Sequence, residues 1–381
     1  GGGGGRIAMR ITVVGAGIMG LSSARALSLR GHQVTVVEQG AVPNPLGSSV
    51  DQHRLIRYPY GDMSGYTALV GPAYAAWDRL WEDLGERLYR QTGTLILGTE
   101  GHPWVEAAAG VLADQGIEAT DLVPEAVARR YPLLATEGVA RAILLPTGGV
   151  LLAGRIVELL AHWLAQRGVT ILAHQRATAV DPEAGTVDLA DGRRLEADRV
   201  VVAAGPWVGR LLPEVGARVT PSRQLVVYVA PPPEKARAWA EMPMLLDLSP
   251  ERIFYVVPPV MGTGMKIGDH AFSMTGDPDR DREAGAEEAR ALFALARDRL
   301  AGIDGYHLDE AKTCFYTVEP EERFVVEPVG AAGLVLAGFS GHGFKFGPLI
   351  GEAAADLLEG RREAAEVARQ AAGRAMPEAA Q

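Results

Sequence analysis

Three glycines, Gly15, Gly17 and Gly20, stand in G-x-G-x-x-G spacing, and Glu38 closes the segment they open. Together these residue types do the work of holding a dinucleotide. Gly15 permits a tight turn, Gly17 lets the backbone approach a pyrophosphate, and Gly20 allows a helix to pack close to its strand. Ile18 and Met19 open a helix whose free N–H groups and dipole favour phosphate. Glu38, with Gln39 beside it, can accept hydrogen bonds from ribose hydroxyls and argues against a bound 2′-phosphate. These residues do not separate NAD from FAD. Other groups able to carry chemistry are Arg54 and Arg57 flanking Leu55-Ile56, Lys266 between Met265 and Ile267, the lone Cys314, and Lys345. Taken singly each has a plain reading: solvated cations, an exposed strand lysine, a small core residue. Lys345, however, lies in the glycine-rich run Gly338 to Gly347, which feeds a helix opening at Pro348 and so offers N–H donors at a positive dipole end.

Several elements must position these groups. An apolar β-branched run, Ile11 to Val14, precedes Gly15. A helical run through Leu21, Ala24, Leu27 and Leu29 stops at Gly31, and a second β-run, Val34 to Val37, delivers Glu38. Trp77, Leu80, Trp81 and Leu84 share one helical face and read as core. Thr94 to Leu97 reads as a strand and Trp104 to Pro132 as a mostly helical excursion. Ile156, Leu159, Leu160, Trp163 and Leu164 mark an amphipathic helix. The Asp191-Gly192 turn reads as a hairpin, after which Arg199 to Val202 is a buried strand ending in Ala203, Ala204 and Gly205, small enough for a ligand to meet backbone. That strand is expected to rejoin the first sheet. Gln224 to Val229 opens a more antiparallel region, and a charged helix is expected over about Ala284 to Leu300. Beyond Arg361 an Ala/Glu/Arg tail reads as frayed.

Composition narrows the classes. At 381 residues the chain suggests two or three domains. Hydrophobic content of 48% and charged content of 22% suit a soluble enzyme, and a net charge of -10 argues against a nucleic-acid partner. No apolar run reaches the ~18 residues of a membrane span, and no secretory leader is read. The leading glycines read as a tag. A single cysteine excludes an internal disulfide and fits a cytoplasmic home. No metal site is expected, because the histidines and the cysteine form no ligand-spaced cluster.

Five segments together carry a family resemblance: the opening fingerprint, Ser48-Ser49 through Arg57, Met265-Lys-Ile-Gly-Asp-His270, Thr313-Cys-Phe-Tyr-Thr, and Gly338-Phe-Ser-Gly-His-Gly-Phe-Lys-Phe. From Arg10 to about Gly360 the chain resembles the monomeric sarcosine oxidase and N-methyltryptophan oxidase group of D-amino-acid-oxidase-like flavoproteins. The resemblance implies an α/β, two-domain (α+β) architecture: a Rossmann-like FAD-binding domain of glutathione-reductase type with an inserted, mainly antiparallel-sheet substrate domain. FAD would be held by 9–93, 146–218 and 313–361, substrate by 94–145 and 219–312, leaving 1–8 as a tag and 362–381 as a tail.

The implied cofactor is FAD, joined covalently through Cys314. Around it the resemblance and the motifs place Gly15, Gly17, Ile18, Met19, Gly20, Glu38, Gln39, Ser48, Ser49, Arg54, Ala204, Gly205, Trp207, Gly341, Gly343, Phe344 and Lys345. Arg57 and Lys345 would hold a substrate carboxylate, Lys266 would activate oxygen, His270 and Tyr255 would line the pocket, and Arg54 would lie against the flavin ring. The implied reaction oxidises a secondary (N-methyl) α-amino acid to an imine, with O2 leaving as H2O2, in a monomer without a membrane partner. One departure stands out. The resembled loop commonly reads Ser-Ser-His-Gly-Asp-Thr-Arg, whereas here it is Ser48-Ser-Val-Asp-Gln-His-Arg54, so Val50 removes a histidine and His53 introduces one. Rival readings are a dehydrogenase passing electrons to another acceptor, a flavoprotein subunit needing a partner chain, and an NAD-dependent dehydrogenase.

Overall fold

A computed structural model of the chain describes residues 7–375. The leading glycines Gly1 to Gly5 and the end of the expected tail lie outside the described residues. Arg10–Val14 is apolar because it is covered on both faces, with Ile11, Thr12, Val13 and Val14 all buried. It lies inside a six-stranded sheet ordered Val325–Val329, Gly333–Ala337, Arg199–Val202, Arg10–Val14, Gln33–Val37 and Thr170–Leu172. The pairings are parallel except for Val325–Val329, which runs antiparallel to Gly333–Ala337. Arg199–Val202 therefore joins the first sheet, beside Arg10–Val14, as its sequence suggests. Helices Ile18–Leu29, Ala153–Gln166 and Gly347–Leu358 pack their apolar faces into the same core as Trp77 and Trp81.

A second sheet has eight strands, ordered His307–Val318, Thr220–Ala230, Met265–Asp269, Ile253–Val257, Met244–Leu248, Thr94–Gly98, Arg141–Leu145 and Thr120–Leu122. It is antiparallel apart from the Met244–Leu248/Thr94–Gly98 pair. In this sheet Lys266 stands between Tyr228 and Val257 in register. Gln224 and Cys314 are likewise register partners. A small antiparallel sheet, Arg54–Ile56, Gly149–Leu151 and Tyr89–Gln91, fixes the backbone from which Arg54 and Arg57 project.

Two local expectations need correction, and a third, the mostly helical excursion, needs one addition. The tail is not frayed throughout: Ala364–Ala371 is a helix with Val367 and Ala371 buried. Two apolar positions suffice because Tyr66 ties it down, donating from its hydroxyl to Ala371 O at 2.9 Å while accepting from Phe324 N–H at 2.9 Å. The charged helix spans only Ala286–Ala294; the chain then turns so that Arg299 can pair with buried Asp247. Finally, the excursion from Trp104 to Pro132 contains, between helices Pro103–Asp114 and Pro124–Arg130, a strand Thr120–Leu122 that extends the larger sheet.

Candidate active site

Four parallel strands of the six-stranded sheet end at one edge. Val14 leads into Gly15 to Met19, Val37 into Glu38 and Gln39, Val202 into Ala203 to Trp207, and Ala337 into Gly338 to Phe344. All four continuations line one cleft, as expected of the carboxyl edge of an open α/β sheet. The glycines are required by contact. Gly15 has φ +107°, and a Cβ there would collide with Ala203 O; at Gly17 it would stand 2.9 Å from Ser49 Oγ. Gly20 does not line the cleft: a Cβ there would strike Gly15 O, so its absence lets helix Ile18–Leu29 sit on the turn. Glu38 braces the turn, accepting from Ala16 N–H at 3.2 Å, Gly40 N–H at 2.7 Å and Asn44 Nδ2 at 3.1 Å. Ser49 Oγ accepts from Ile18 N–H at 2.9 Å. The cleft thus gathers Gly15, Gly17, Ile18, Met19, Glu38, Gln39, Ser48, Ser49, Ala204, Gly205, Trp207, Gly341, Gly343 and Phe344.

A second cavity, about 310 Å³ and so of small-molecule size, meets the first at Arg54, Tyr316, Ser340, Gly341 and Phe344. Into it face Arg57, Tyr255, Lys266, His270 and Lys345. Two cations mark one end. Arg57 stacks on Tyr60, 5.4 Å from its ring centroid, and lies 6.0 Å from that of Trp104. Lys345 Nζ donates to Tyr60 Oη at 2.6 Å and to His342 O at 2.9 Å. His342 Nε2 faces Glu322 O at 2.7 Å and must donate to it, so Nδ1 accepts from the Tyr60 hydroxyl at 3.0 Å. A directed chain results, from Lys345 through Tyr60 and His342 to a carbonyl. Burial, and then Arg57, hold the Lys345 amine well below the ordinary lysine range. Burial, Arg57 and Lys345 push His270 down to about 3, leaving it neutral.

Lys266 sits at the other end, 2% exposed, which rules out an exposed strand lysine. Its Nζ donates to His53 O at 2.8 Å and pairs with Asp51 Oδ2 at 3.1 Å. Asp51 also receives Arg54 at 2.7 Å and the hydroxyl of Tyr228. Arg54 crosses from this cluster to Ser48 O at 2.5 Å and to Cys314 Sγ at 3.7 Å. Cys314 is half-buried, touches Arg54 and is not among the residues that line either cavity. Burial raises its thiol, with Arg54 opposing. His53 is fully buried; it donates from Nε2 to Gly264 O at 3.1 Å, and burial followed by Lys266 lowers it to about 3.

The residues that sequence reasoning missed are Asp51, Tyr60, His342 and Glu322. Tyr60 follows Arg57 in Arg57-Tyr-Pro-Tyr60, a usable hint. Asp51 was visible as a charge where the resembled loop carries glycine. Glu322 gave no signal: it reaches the cavity from a left-handed turn, φ +60°, and burial raises its carboxyl while Arg57 opposes. Among the described residues no group of three His, Cys, Asp or Glu side chains could hold a metal ion, and no helix is long and apolar enough to cross a membrane.

A family model described as FAD dependent oxidoreductase matches residues 10–357. Monomeric sarcosine oxidase from Bacillus sp. (strain B-0618) is 29% identical over 364 residues, covering 93% of each chain. N-methyl-L-tryptophan oxidase from Yersinia pestis (strain Pestoides F) is 28% identical over 352 residues, covering 91% of this chain and 93% of its own. Among solved structures, L-proline dehydrogenase from P. horikoshii shares the fold with a TM-score of 0.80 at 20% identity, covering 94% of this chain and 95% of its own.

Proposed function

The chain belongs to the FAD dependent oxidoreductase family, and from that premise we propose that it oxidises a secondary, N-methyl α-amino acid with oxygen as acceptor. One observation carries the reading: a glycine-lined dinucleotide cleft opens, across Arg54, Tyr316 and Gly341, into a small cavity bearing Arg57 and Lys345. The cleft fits FAD, since the turn at Gly15 and Gly17 has no room for side chains and the helix start at Ile18 is part of its lining. When bound, FAD supplies the acceptor for the substrate's hydride and hands the electron pair on.

The chain's own residues do the rest. Arg57 and Lys345 clamp the carboxylate, the guanidinium as a fork and the amine as a point charge. Their charge disfavours an ammonium nearby, so the substrate amine sits neutral with its lone pair free. Tyr255 and the neutral His270, with ring centroids 5.6 Å apart, form a wall that neither takes nor gives a proton near neutrality. Lys266 offers a fixed ammonium where oxygen reduction develops negative charge. Cys314 is the single thiol of the chain, and the run Thr313-Cys-Phe-Tyr-Thr in which it stands supports reading a covalent thioether to the cofactor, while Arg54, against its sulfur, opposes the rise that burial imposes on the thiol.

The test is peroxide formation and oxygen uptake by the purified, FAD-loaded chain across a panel of N-methyl and primary amino acids. Peroxide with a secondary amino acid is expected. Turnover only with an added dye acceptor would move the reading to a dehydrogenase, and silence with every acceptor would move it to a subunit needing a partner. Acid precipitation completes the test: flavin colour stays in the wild-type pellet and is lost from that of Cys314→Ser.

A further inference from the structure

We infer that Asp51 is a positioning residue, the built-in counter-ion that fixes the Lys266 amine in place and keeps it protonated beside Arg54. Asp51 uses both carboxylate oxygens. Oδ2 takes Lys266 at 3.1 Å and Arg54 at 2.7 Å, while Oδ1 takes Gln52 N–H at 2.7 Å and the Tyr228 hydroxyl. The cluster is buried, with Asp51 7% and Lys266 2% exposed. Lysine is scarce in this chain: only four of the 37 lysine and arginine residues are lysine, at 235, 266, 312 and 345. A buried one is therefore a specific choice of a cation able to lose its proton, which an arginine does not do.

The charges fix the direction of the effect. A buried amine loses its preference for the ammonium form, and a neighbouring arginine makes this worse. The ionisable groups around Lys266 are Asp51, His53 and Arg54 from the preceding loop and strand, Tyr228 and Tyr255 from the sheet, and Cys314 and Tyr316 from His307–Val318. His53 is neutral, and burial keeps the three phenols and the thiol protonated. Asp51 is thus the anion in this set: burial alone would raise its carboxyl, but Lys266 and then Arg54 hold it well below the usual range. With Asp51 in place, Lys266 is pushed down by burial to about 8, so it is mostly charged at neutral pH. Without that anion, only the weaker influence of Cys314 is left against burial and Arg54, and the amine gives up its proton.

The use of this charge, in oxygen reduction, rests on the amine-oxidase reading; the charge itself does not. The test is therefore in two parts. In FAD-loaded protein labelled with 13C at lysine Cε, the four lysines give four resonances, and Lys266→Met identifies the one of interest. In the wild type that resonance is expected to titrate near 8. In Asp51→Asn the midpoint falls below 7, a more than tenfold rise in acidity, and Asp51→Glu restores it. An unchanged midpoint in Asp51→Asn overturns the inference. Should that variant not fold, Arg54→Gln reads the same balance from the other side, raising the midpoint above 8; no rise there overturns it equally. In the second part, the rate of reaction of the reduced enzyme with oxygen is followed against pH. It is expected to fall above the Lys266 midpoint and to do so at lower pH in Asp51→Asn. If the resonance moves and the oxygen rate does not follow, the oxygen role of Lys266 fails while the role of Asp51 stands.

Discussion

Lys345 is a clamp that waits for negative charge. Burial and Arg57 hold its amine well below the ordinary range, and its partners in the pocket are the Tyr60 hydroxyl and a carbonyl. A bound carboxylate must raise that affinity for protons, so binding takes up a proton and weakens as pH rises through the free-state value. We expect proton uptake when acetate, a minimal carboxylate, binds to FAD-loaded protein in weak buffer, and its loss in Lys345→Met. The same variant should raise KM for the amino acid roughly ten- to a hundredfold, the worth of one charge-assisted hydrogen bond. No uptake in the wild type would show that the amine is already charged. At this scale legibility was uneven. The structure brings Lys266, Arg57 and Lys345 to one cavity, and the recognisable runs they stand in make them legible as candidates. Asp51 was passed over because a charged residue in a polar loop ordinarily faces water; only its three-dimensional neighbours reveal it as buried.

Elements were more readable, since a strand, a glycine turn and a helix leave a periodic pattern that tertiary packing reinforces. What the pattern could not give was the contact between the first helix and one near the far end of the chain. Ile18–Leu29 and Gly347–Leu358 cross so closely that a Cβ at Gly351 would run into the backbone of Ser22, and one at Gly347 into the Ile18 side chain. The first begins at the cofactor cleft and the second follows the Gly338 to Phe344 loop that lines it, so the crossing sets where their N-termini point. Gly351→Ala is expected to destabilise the fold by about 1–3 kcal/mol, the range for overpacking, and to loosen FAD. Gly110, in helix Pro103–Asp114, meets nothing within 4 Å. Gly110→Ala should therefore stabilise by roughly 0.5–1 kcal/mol through helix propensity alone. Thermal melts of the pair, with FAD retention on gel filtration, check both; equal melting shifts would remove the distinction between packed and free glycine. The tail helix Ala364–Ala371 escaped notice for a related reason, because its stripe is only two residues wide and depends on Tyr66.

Across the whole molecule, histidines kept neutral couple the fold to acid. His53 and His270 are lowered to about 3 and His342 lies well below its ordinary value, with burial the leading cause in each. Between those values and the unfolded value near 6.5, the unfolded chain binds protons that the folded chain refuses, so stability rises with pH across this window and is lost on acidification. His53, the one of the three that is fully buried, contributes a slope of about 1.4 kcal/mol per pH unit across this window. Asp51, held low, adds to the loss below roughly pH 4. Melting temperatures measured from pH 7 to 4.5 should fall steadily, and less steeply in His53→Gln; a flat profile would contradict the buried neutral state. Arg10–Val14 and Gly333–Ala337 flank Arg199–Val202 in one sheet, so the wall of the cleft is built from the first and last parallel strands of the chain. During synthesis, the ribosome releases the Gly15 turn hundreds of residues before the Gly338 to Phe344 loop that faces it. A nascent chain can fold much of its second sheet while the cleft still lacks one side, which makes cofactor capture an event of completed chains.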